Sequence, residues 1–238
     1  MLRGAAGTPY GDDVNASAAS GRLVAMLALV VLLAGAAGRA RAQPVRYAVL
    51  PERSHVFVVT GRAGALGFLG HDHAILAQDW SAEICYDPDD PTASSANIVV
   101  ESAGLAIDSD RGAELAGLSS RPSETTVMDL QRRMLGPEYL DAERHPEIRF
   151  EARTVRVVGD GRLELEGPFT LHGVTRTIRA PATVSRLEDG AVRFDVRTTL
   201  RMSAHGIEPE RTLGLVEVAD AFDLVVRVEA RSRHQPCR

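Results

Sequence analysis

The chain has 238 residues and a net charge of −5, and its 27 basic and 32 acidic side chains are interspersed along the sequence. This even mixture excludes a basic segment of the kind that binds nucleic acid. Gly-x-Ser-x-Gly, His-Glu-x-x-His, glycine-rich phosphate loops and Cys-x-x-Cys are all absent, so the sequence indicates neither an enzyme nor a cofactor.

The N-terminal residues predict an export signal. Arg22 precedes an apolar run over residues 23–37, which is shorter than the roughly 20 residues that a membrane-spanning helix needs. Residues 40–42 read Ala-Arg-Ala, a small-x-small cleavage pattern. We expect residues 1–42 to be an N-terminal lead and signal peptide, and the mature protein, starting at Gln43, to be periplasmic or secreted. An uncleaved anchor helix is the alternative.

Three segments rich in β-branched residues come first in the mature chain. They cover residues 54–60, 74–86 and 97–107, and each predicts a strand. A glycine-rich stretch over residues 61–70 separates the first two, and an Asp-Pro-rich turn over residues 87–91 separates the second from the third.

A helical pattern follows the third strand. Ser123 is a suitable N-cap, and Val127, Leu130 and Met134 recur at helical spacing. Gly136, followed by a proline, is a stop signal. The sequence therefore predicts one helical insertion between the third and fourth strands.

Residues 147–202 show the clearest periodicity in the chain. Apolar and charged side chains alternate through four segments, which are separated by Gly-Asp-Gly at 159–161, His-Gly at 172–173 and Gly190. A period of two places alternate side chains on one face of a sheet, and glycine supplies the positive φ that hairpin turns use. Residues 221–230 repeat the alternation and close a count of about eight strands, each with one apolar and one charged face.

The apolar face must be hidden from water, which a closed barrel or a two-sheet sandwich achieves. Mostly short connections favour an up-and-down barrel. We therefore predict an all-β, eight-stranded antiparallel lipocalin-like barrel over residues 43–231, with a flexible tail over residues 232–238. The two cysteines are Cys85 and Cys237. An oxidising compartment permits a disulfide, but the predicted tail argues against pairing Cys237.

Several segments resemble a known family. Residues 140–150 resemble the helix-to-strand entry of the YceI-like proteins, residues 165–176 resemble their central hairpin, and residues 202–207 with 216–218 resemble their C-terminal motif. Residues 54–58 also fit the start of the family pattern, so the resemblance spans residues 45–230. The resemblance implies an exported lipocalin-like barrel that binds a polyisoprenoid or related lipid.

The apolar face is accordingly the predicted ligand site, and an isoprenoid or other long-chain lipid is the predicted partner, with transient membrane contact. Burial of hydrocarbon contributes about 0.8 kcal/mol per CH₂ group. His205 replaces an aromatic residue of the family pattern and is a candidate for contact with a lipid headgroup at the barrel mouth. The predicted ligand-binding residues are Phe57, Val59, Phe150, Leu165, Phe169, Phe194, Val196, Phe222, Leu224 and His205.

Two other functions stay open from the sequence. His71 and His73 would lie on one face of an extended segment, about 7 Å apart, so an exported metal-binding protein or metal-dependent enzyme is the first alternative. A third ligand would have to come from His145, His205 or a carboxylate, although a turn favours structural roles for His145 and His172. The second alternative is an adhesion or stress-protective barrel with a filled interior and no ligand.

Overall fold

The computed structural model describes residues 43–63, 72–209, 211–212 and 216–237. The predicted signal peptide over residues 1–42 lies outside this part. The described part contains thirteen strands and two α-helices. In chain order they are β1 Val45–Val49, β2 His55–Ala63, β3 His73–Ala77, β4 Trp80–Tyr86, β5 Ser95–Glu101, β6 Leu105–Ile107, α1 Asp110–Ala116, α2 Glu124–Leu135, β7 Glu147–Ala152, β8 Thr154–Gly159, β9 Arg162–Leu171, β10 Val174–Arg186, β11 Val192–Arg201, β12 Arg211–Thr212 and β13 Val216–Pro236.

Eight of these strands form a closed antiparallel ring. Their order is β1, β4, β5, β7, β9, β10, β11 and β13, and β13 pairs back onto β1. One edge of β13 pairs with β11, and the C-terminal part of its other edge pairs with β1, where Ala230 lies opposite Val49. The eight-stranded antiparallel barrel is therefore confirmed, and the two-sheet sandwich is excluded.

Several positions in the barrel wall are occupied by two short strands instead of one long one. β2 pairs with β13 beside the stretch that pairs with β1, and the short helical turn Pro51–Arg53 separates the two strands. Residues 74–86 and 97–107, each predicted as one strand, are divided into β3 and β4 and into β5 and β6. The interruption between β5 and β6 shifts the alternation by one residue, since Ile98 and Val100 of β5 and Leu105 of β6 all line the cavity.

The helical part follows β6 and contains two helices where the sequence predicts one. α2 begins after Ser123, whose Oγ accepts a hydrogen bond from the Thr126 N–H, and its C-cap is Gly136, as predicted. α1 is only seven residues long and contains Gly112, so its sequence shows no helical period. Among the described residues, no helix is long and apolar enough to cross a membrane.

α2 protects the outer edge of β6. The side-chain amide of Gln131 accepts a hydrogen bond from the Ile107 N–H at 2.9 Å and donates one to the Leu105 carbonyl at 2.6 Å. An uncovered strand edge exposes unpaired backbone groups and invites association. The same helix packs Met134 and Leu130 against the barrel core, so it both satisfies this edge and covers the interior.

The C-terminal residues correct two predictions. β13 continues to Pro236, and its last residues pair with β1, so residues 232–236 belong to the barrel wall and not to a flexible tail. Cys237 forms a disulfide with Cys85. The alternation ends near Ala230, but the backbone pairing with β1 does not depend on it.

The outer face carries the charged half of the alternating pattern. Asp195 accepts a hydrogen bond from Arg227 at 2.6 Å, and Asp223 accepts one from Arg197 at 2.8 Å, both between β11 and β13. The Arg197 hydrogen bond lowers the pKa of Asp223 below its ordinary value. Such exposed pairs contribute little to stability, but they show which faces of β11 and β13 point outward.

Candidate functional site

The interior of the barrel contains a cavity of about 240 Å³. Its wall is almost entirely apolar and draws on both halves of the barrel, with Val56, Ile98, Phe150, Val196 and Leu224 among the lining residues. Ile98, Phe150, Val196 and Leu224 are only partly buried although they face inward, because they border this space. The interior is therefore not filled by side chains, which disfavours a filled barrel without a ligand.

The register of β11 and β13 explains how the sequence produces this wall. Val196 lies opposite Val226, and Thr198 lies opposite Leu224, and all four side chains line the cavity. Arg197, between Val196 and Thr198, points outward to its partner Asp223. Alternation along each strand thus separates a hydrocarbon lining from a solvated exterior.

Most of the predicted ligand-binding residues lie at the cavity. Phe57 borders the cavity and also a groove on the outer face of the barrel. His55 and Val59, its neighbours on the same face of β2, line the groove as well. Contact of the predicted ligand-binding residues with a lipid stays a prediction. The predicted residues that line the cavity are Phe57, Phe150, Leu165, Phe169, Val196, Phe222 and Leu224.

Val59 does not line the cavity. It lies opposite Asp223 of β13, on the outer face, in the groove beneath Leu115 of α1. β2 has apolar residues on both of its faces, since α1 covers part of the outer one. Alternation alone therefore could not identify the inward face of this strand.

Phe194 does not line the cavity either. Its ring packs edge to face against Tyr47 and Tyr86, with centroid distances of 6.3 and 5.3 Å. Burial raises the pKa of both tyrosine hydroxyls, so these rings stay neutral in a packed aromatic cluster. The side chain of Phe194 points inward, as predicted, but at a level of the barrel that Tyr47 and Tyr86 fill. Because these tyrosines come from other strands, the sequence around Phe194 could not show that this part of the interior is filled.

His205 is a structural residue and not a residue of the cavity wall. It is 2% exposed, its Nδ1 donates a hydrogen bond to the Val174 carbonyl at 3.0 Å, and its ring packs edge-on against Phe169. The short helical turn Ser203–His205 turns this side chain into the protein. The prediction placed His205 at the barrel mouth, and this placement is wrong because the side chain is buried.

Polar side chains at the cavity wall were not identified from the sequence. Thr60 and His73 form the last pair of the β2–β3 ladder and both border the cavity. Arg133 and Tyr139, from α2 and the segment after it, add two more. The helical spacing of Met134 and Leu130 marks α2 as a packed helix, but only the tertiary structure places it over the cavity.

The metal pair suggested by the sequence stays a prediction, since the structure describes only one of its members, His73. Its Nδ1 lies 2.7 Å from a carboxylate oxygen of Asp108, and the other oxygen accepts a hydrogen bond from the Ala74 N–H. His71 lies outside the described residues. Within the described part, the group of three metal-type donors is instead Asp141, His145 and His172.

Comparison with known proteins identifies the family of this fold. The sequence profile of the YceI-like domain matches residues 47–230. A UPF0312 protein of Pseudomonas savastanoi pv. phaseolicola is 28% identical over 173 residues, which are 71% of this chain and 79% of that protein. A UPF0312 protein of Pseudomonas putida is 26% identical over 194 residues, which are 79% of this chain and 88% of that protein.

Solved structures share the architecture at low sequence identity. BcnA of Burkholderia cenocepacia superposes with a TM-score of 0.60 at 18% identity, covering 77% of this chain and 99% of that one. A polyisoprenoid-binding domain of Saccharophagus degradans gives a TM-score of 0.50 at 9% identity, covering 80% of this chain and 99% of that one. At these identities the likeness concerns the fold.

Proposed function

This chain belongs to the YceI-like family, and we propose that it binds the hydrocarbon tail of an amphiphilic lipid, such as an isoprenoid quinone or a polyprenol, without catalysing a reaction. The observation that carries this proposal is the apolar cavity of about 240 Å³ inside the closed barrel. The fold shared with a polyisoprenoid-binding domain supports the same class of ligand.

The cavity suits a hydrocarbon tail for energetic reasons. A tail offers no hydrogen bonds, so its site needs only shape and the exclusion of water. At about 0.8 kcal/mol per CH₂ group, an isoprene unit of five carbons contributes roughly 4 kcal/mol when it is fully buried. A few buried units offset the association cost of about 4–15 kcal/mol.

The volume of the cavity limits what part of the ligand enters. At about 240 Å³, it lies below the range of about 300–1,000 Å³ that is typical of sites for drug-sized ligands. A narrow chain fits this space better than a ring system. We therefore place a few isoprene units inside the barrel and the remainder of a longer tail outside it.

We place the polar headgroup near Thr60 and His73. They end the β2–β3 ladder and combine a hydroxyl with an imidazole at the cavity wall. The imidazole is oriented by Asp108, which is 1% exposed. A headgroup at this position would leave the apolar wall to the tail, and release of the lipid would involve transient contact with a membrane.

Lipid binding is tested on the full exported protein by native mass spectrometry after purification without added lipid. We expect a fraction of the protein to carry a hydrophobic ligand that organic extraction removes. The emptied protein should then take up farnesol, a short isoprenoid alcohol. A protein that is isolated empty and takes up no farnesol contradicts the proposal.

We further propose that the protein acts outside the cytoplasm. Arg22, the apolar run over residues 23–37 and the Ala-Arg-Ala pattern at 40–42 support export, as does the Cys85–Cys237 disulfide, which suits an oxidising compartment. N-terminal sequencing of the protein from the periplasmic or secreted fraction should begin at Gln43. A mature protein that retains Leu23, or that stays in the cytoplasmic fraction, contradicts this expectation.

A further inference from the structure

Three metal-type donors converge next to the cavity. Asp141 and His145 come from the segment between α2 and β7, and His172 comes from the turn between β9 and β10. One donor atom from each lies within 4.8 Å of the other two. The residues directly before two of them, Leu140 and Leu171, line the cavity, so the cluster lies beside the lipid site proposed above.

The backbone fixes Asp141 and His145 on one tight turn. The Asp141 N–H donates to the Gly136 carbonyl at 2.8 Å, and the Asp141 carbonyl accepts from the N–H groups of Arg144 and His145 at 2.9 and 2.8 Å. Asp141 itself has a φ of 43°, a left-handed conformation that is uncommon outside glycine and recurs at functional sites. The turn thus holds both side chains on one side of the segment.

His172 is held by the opposing hairpin. It has a φ of 51° and precedes Gly173, whose φ is 70°, as two-residue turns between twisted strands require. Its Nδ1 lies 3.3 Å from the His205 carbonyl oxygen. Because a carbonyl only accepts, this contact requires a proton on Nδ1 and leaves Nε2 with a free lone pair. Metal-binding histidines are commonly oriented by such a hydrogen bond from their other nitrogen.

Gly173 allows the two histidines to approach each other. The imidazoles of His145 and His172 have a centroid distance of 5.0 Å and an interplanar angle of 80°. A Cβ atom at position 173 would lie 2.5 Å from His145 Cε1, closer than any van der Waals contact permits. A residue with a side chain would therefore push His145 out of the cluster, so glycine is needed for space as well as for its φ.

The carboxylate of Asp141 has a weak counter-charge for its burial. Its side chain is 11% exposed, whereas Arg144, which donates to it at 3.3 Å, is 79% exposed. A carboxylate removed from water is stabilised by a close cation or by strong hydrogen bonds. A metal ion between the carboxylate and the two imidazoles would provide that compensation.

We propose that Asp141, His145 and His172 bind a divalent transition-metal ion, with Zn²⁺ as the reference. One carboxylate oxygen and two imidazole nitrogens form a donor set that suits zinc, and three protein ligands leave a fourth position for water or an anion. Tetrahedral bonds of about 2.0–2.1 Å place donors roughly 3.3 Å apart, so the side chains need only rotate inward. The proposal does not depend on lipid binding.

The test uses tag-free, metal-free mature protein titrated with Zn²⁺ by calorimetry and with Co²⁺ by visible absorption. We expect one equivalent of each metal to bind, and Co²⁺ to give the d–d bands of a low-coordinate site. Asp141→Asn and His172→Gln should each weaken binding at least about tenfold. His55→Gln, a histidine substitution in the outer groove, is the matched control and should bind as the wild type does.

A second measurement needs no variant and is independent of variant folding. In the wild-type protein, Zn²⁺ should shift the imidazole ¹⁵N resonances of His145 and His172 and leave those of His55 and His73 unchanged. Binding that persists in both cluster variants, wild-type protein that binds neither metal, or Zn²⁺-dependent shifts at His73 in place of His145 would each overturn the proposal.

Discussion

Replacing Cys85 and Cys237 together with alanine is expected to lower the free energy of unfolding by about 2–5 kcal/mol. The two cysteines are 152 residues apart in the sequence, so the disulfide closes most of the described domain into one loop. On the chain-entropy account, the contribution grows with loop length, which places this disulfide near the upper end of that range. Urea denaturation of both proteins under oxidising conditions measures the difference.

The disulfide also holds the last residues of β13 on the barrel. The Cys237 N–H donates to the Pro44 carbonyl at 3.0 Å, beside the pairing of Pro236 with Val45. We expect amide hydrogen exchange in this stretch to accelerate in the double variant and to stay slow around Val226. Adding a reductant to the wild type should reproduce the loss and leave the variant unaffected. Equal denaturation midpoints with and without the disulfide would contradict this account.

Substituting Val196→Phe is expected to weaken the binding of farnesol by at least about tenfold. Val196 lines the cavity and is only partly buried, since it borders empty space. A phenyl ring there occupies volume that the lipid tail would otherwise fill. Excluding two carbons of the tail from the site costs roughly 1.6 kcal/mol, which is somewhat more than a tenfold change in affinity.

Val157→Phe makes the same chemical change outside the barrel interior. Val157 is 52% exposed on β8, so this variant controls for the added ring and should bind farnesol as the wild type does. Isothermal titration or native mass spectrometry compares the three proteins, and thermal unfolding confirms that each is folded. Wild-type affinity in Val196→Phe, or an equal loss in both variants, would contradict a tail-binding site in this cavity.

The barrel was predictable because alternation is a local property of the sequence. Along residues 192–202, Arg193, Asp195 and Arg197 separate apolar residues one by one, so the backbone period alone assigns two faces. In water, a closed sheet with such strands puts its apolar face inside. The same reasoning placed Phe150, Leu165 and Leu224 at the interior, where the structure has them.

Local patterns failed where a distant part of the chain changes the surroundings of a residue. Val59 lies on an apolar outer face because α1 covers it, and Phe194 is enclosed by Tyr47 and Tyr86. Cys237 reaches Cys85 because β13 and β4 flank β1. None of these relations has a signal within a few residues of the position concerned.

The sequence by itself determined the all-β class, seven of the eight ring strands but not β1, the caps of α2 and the apolar character of the interior, because each depends on periodicity or on capping within one segment. Only the tertiary structure decided which part of the interior stays empty, that the cysteines pair, and that Asp141 and His145 meet His172. These depend on which strands and turns become neighbours, and thus on the closure of the whole ring.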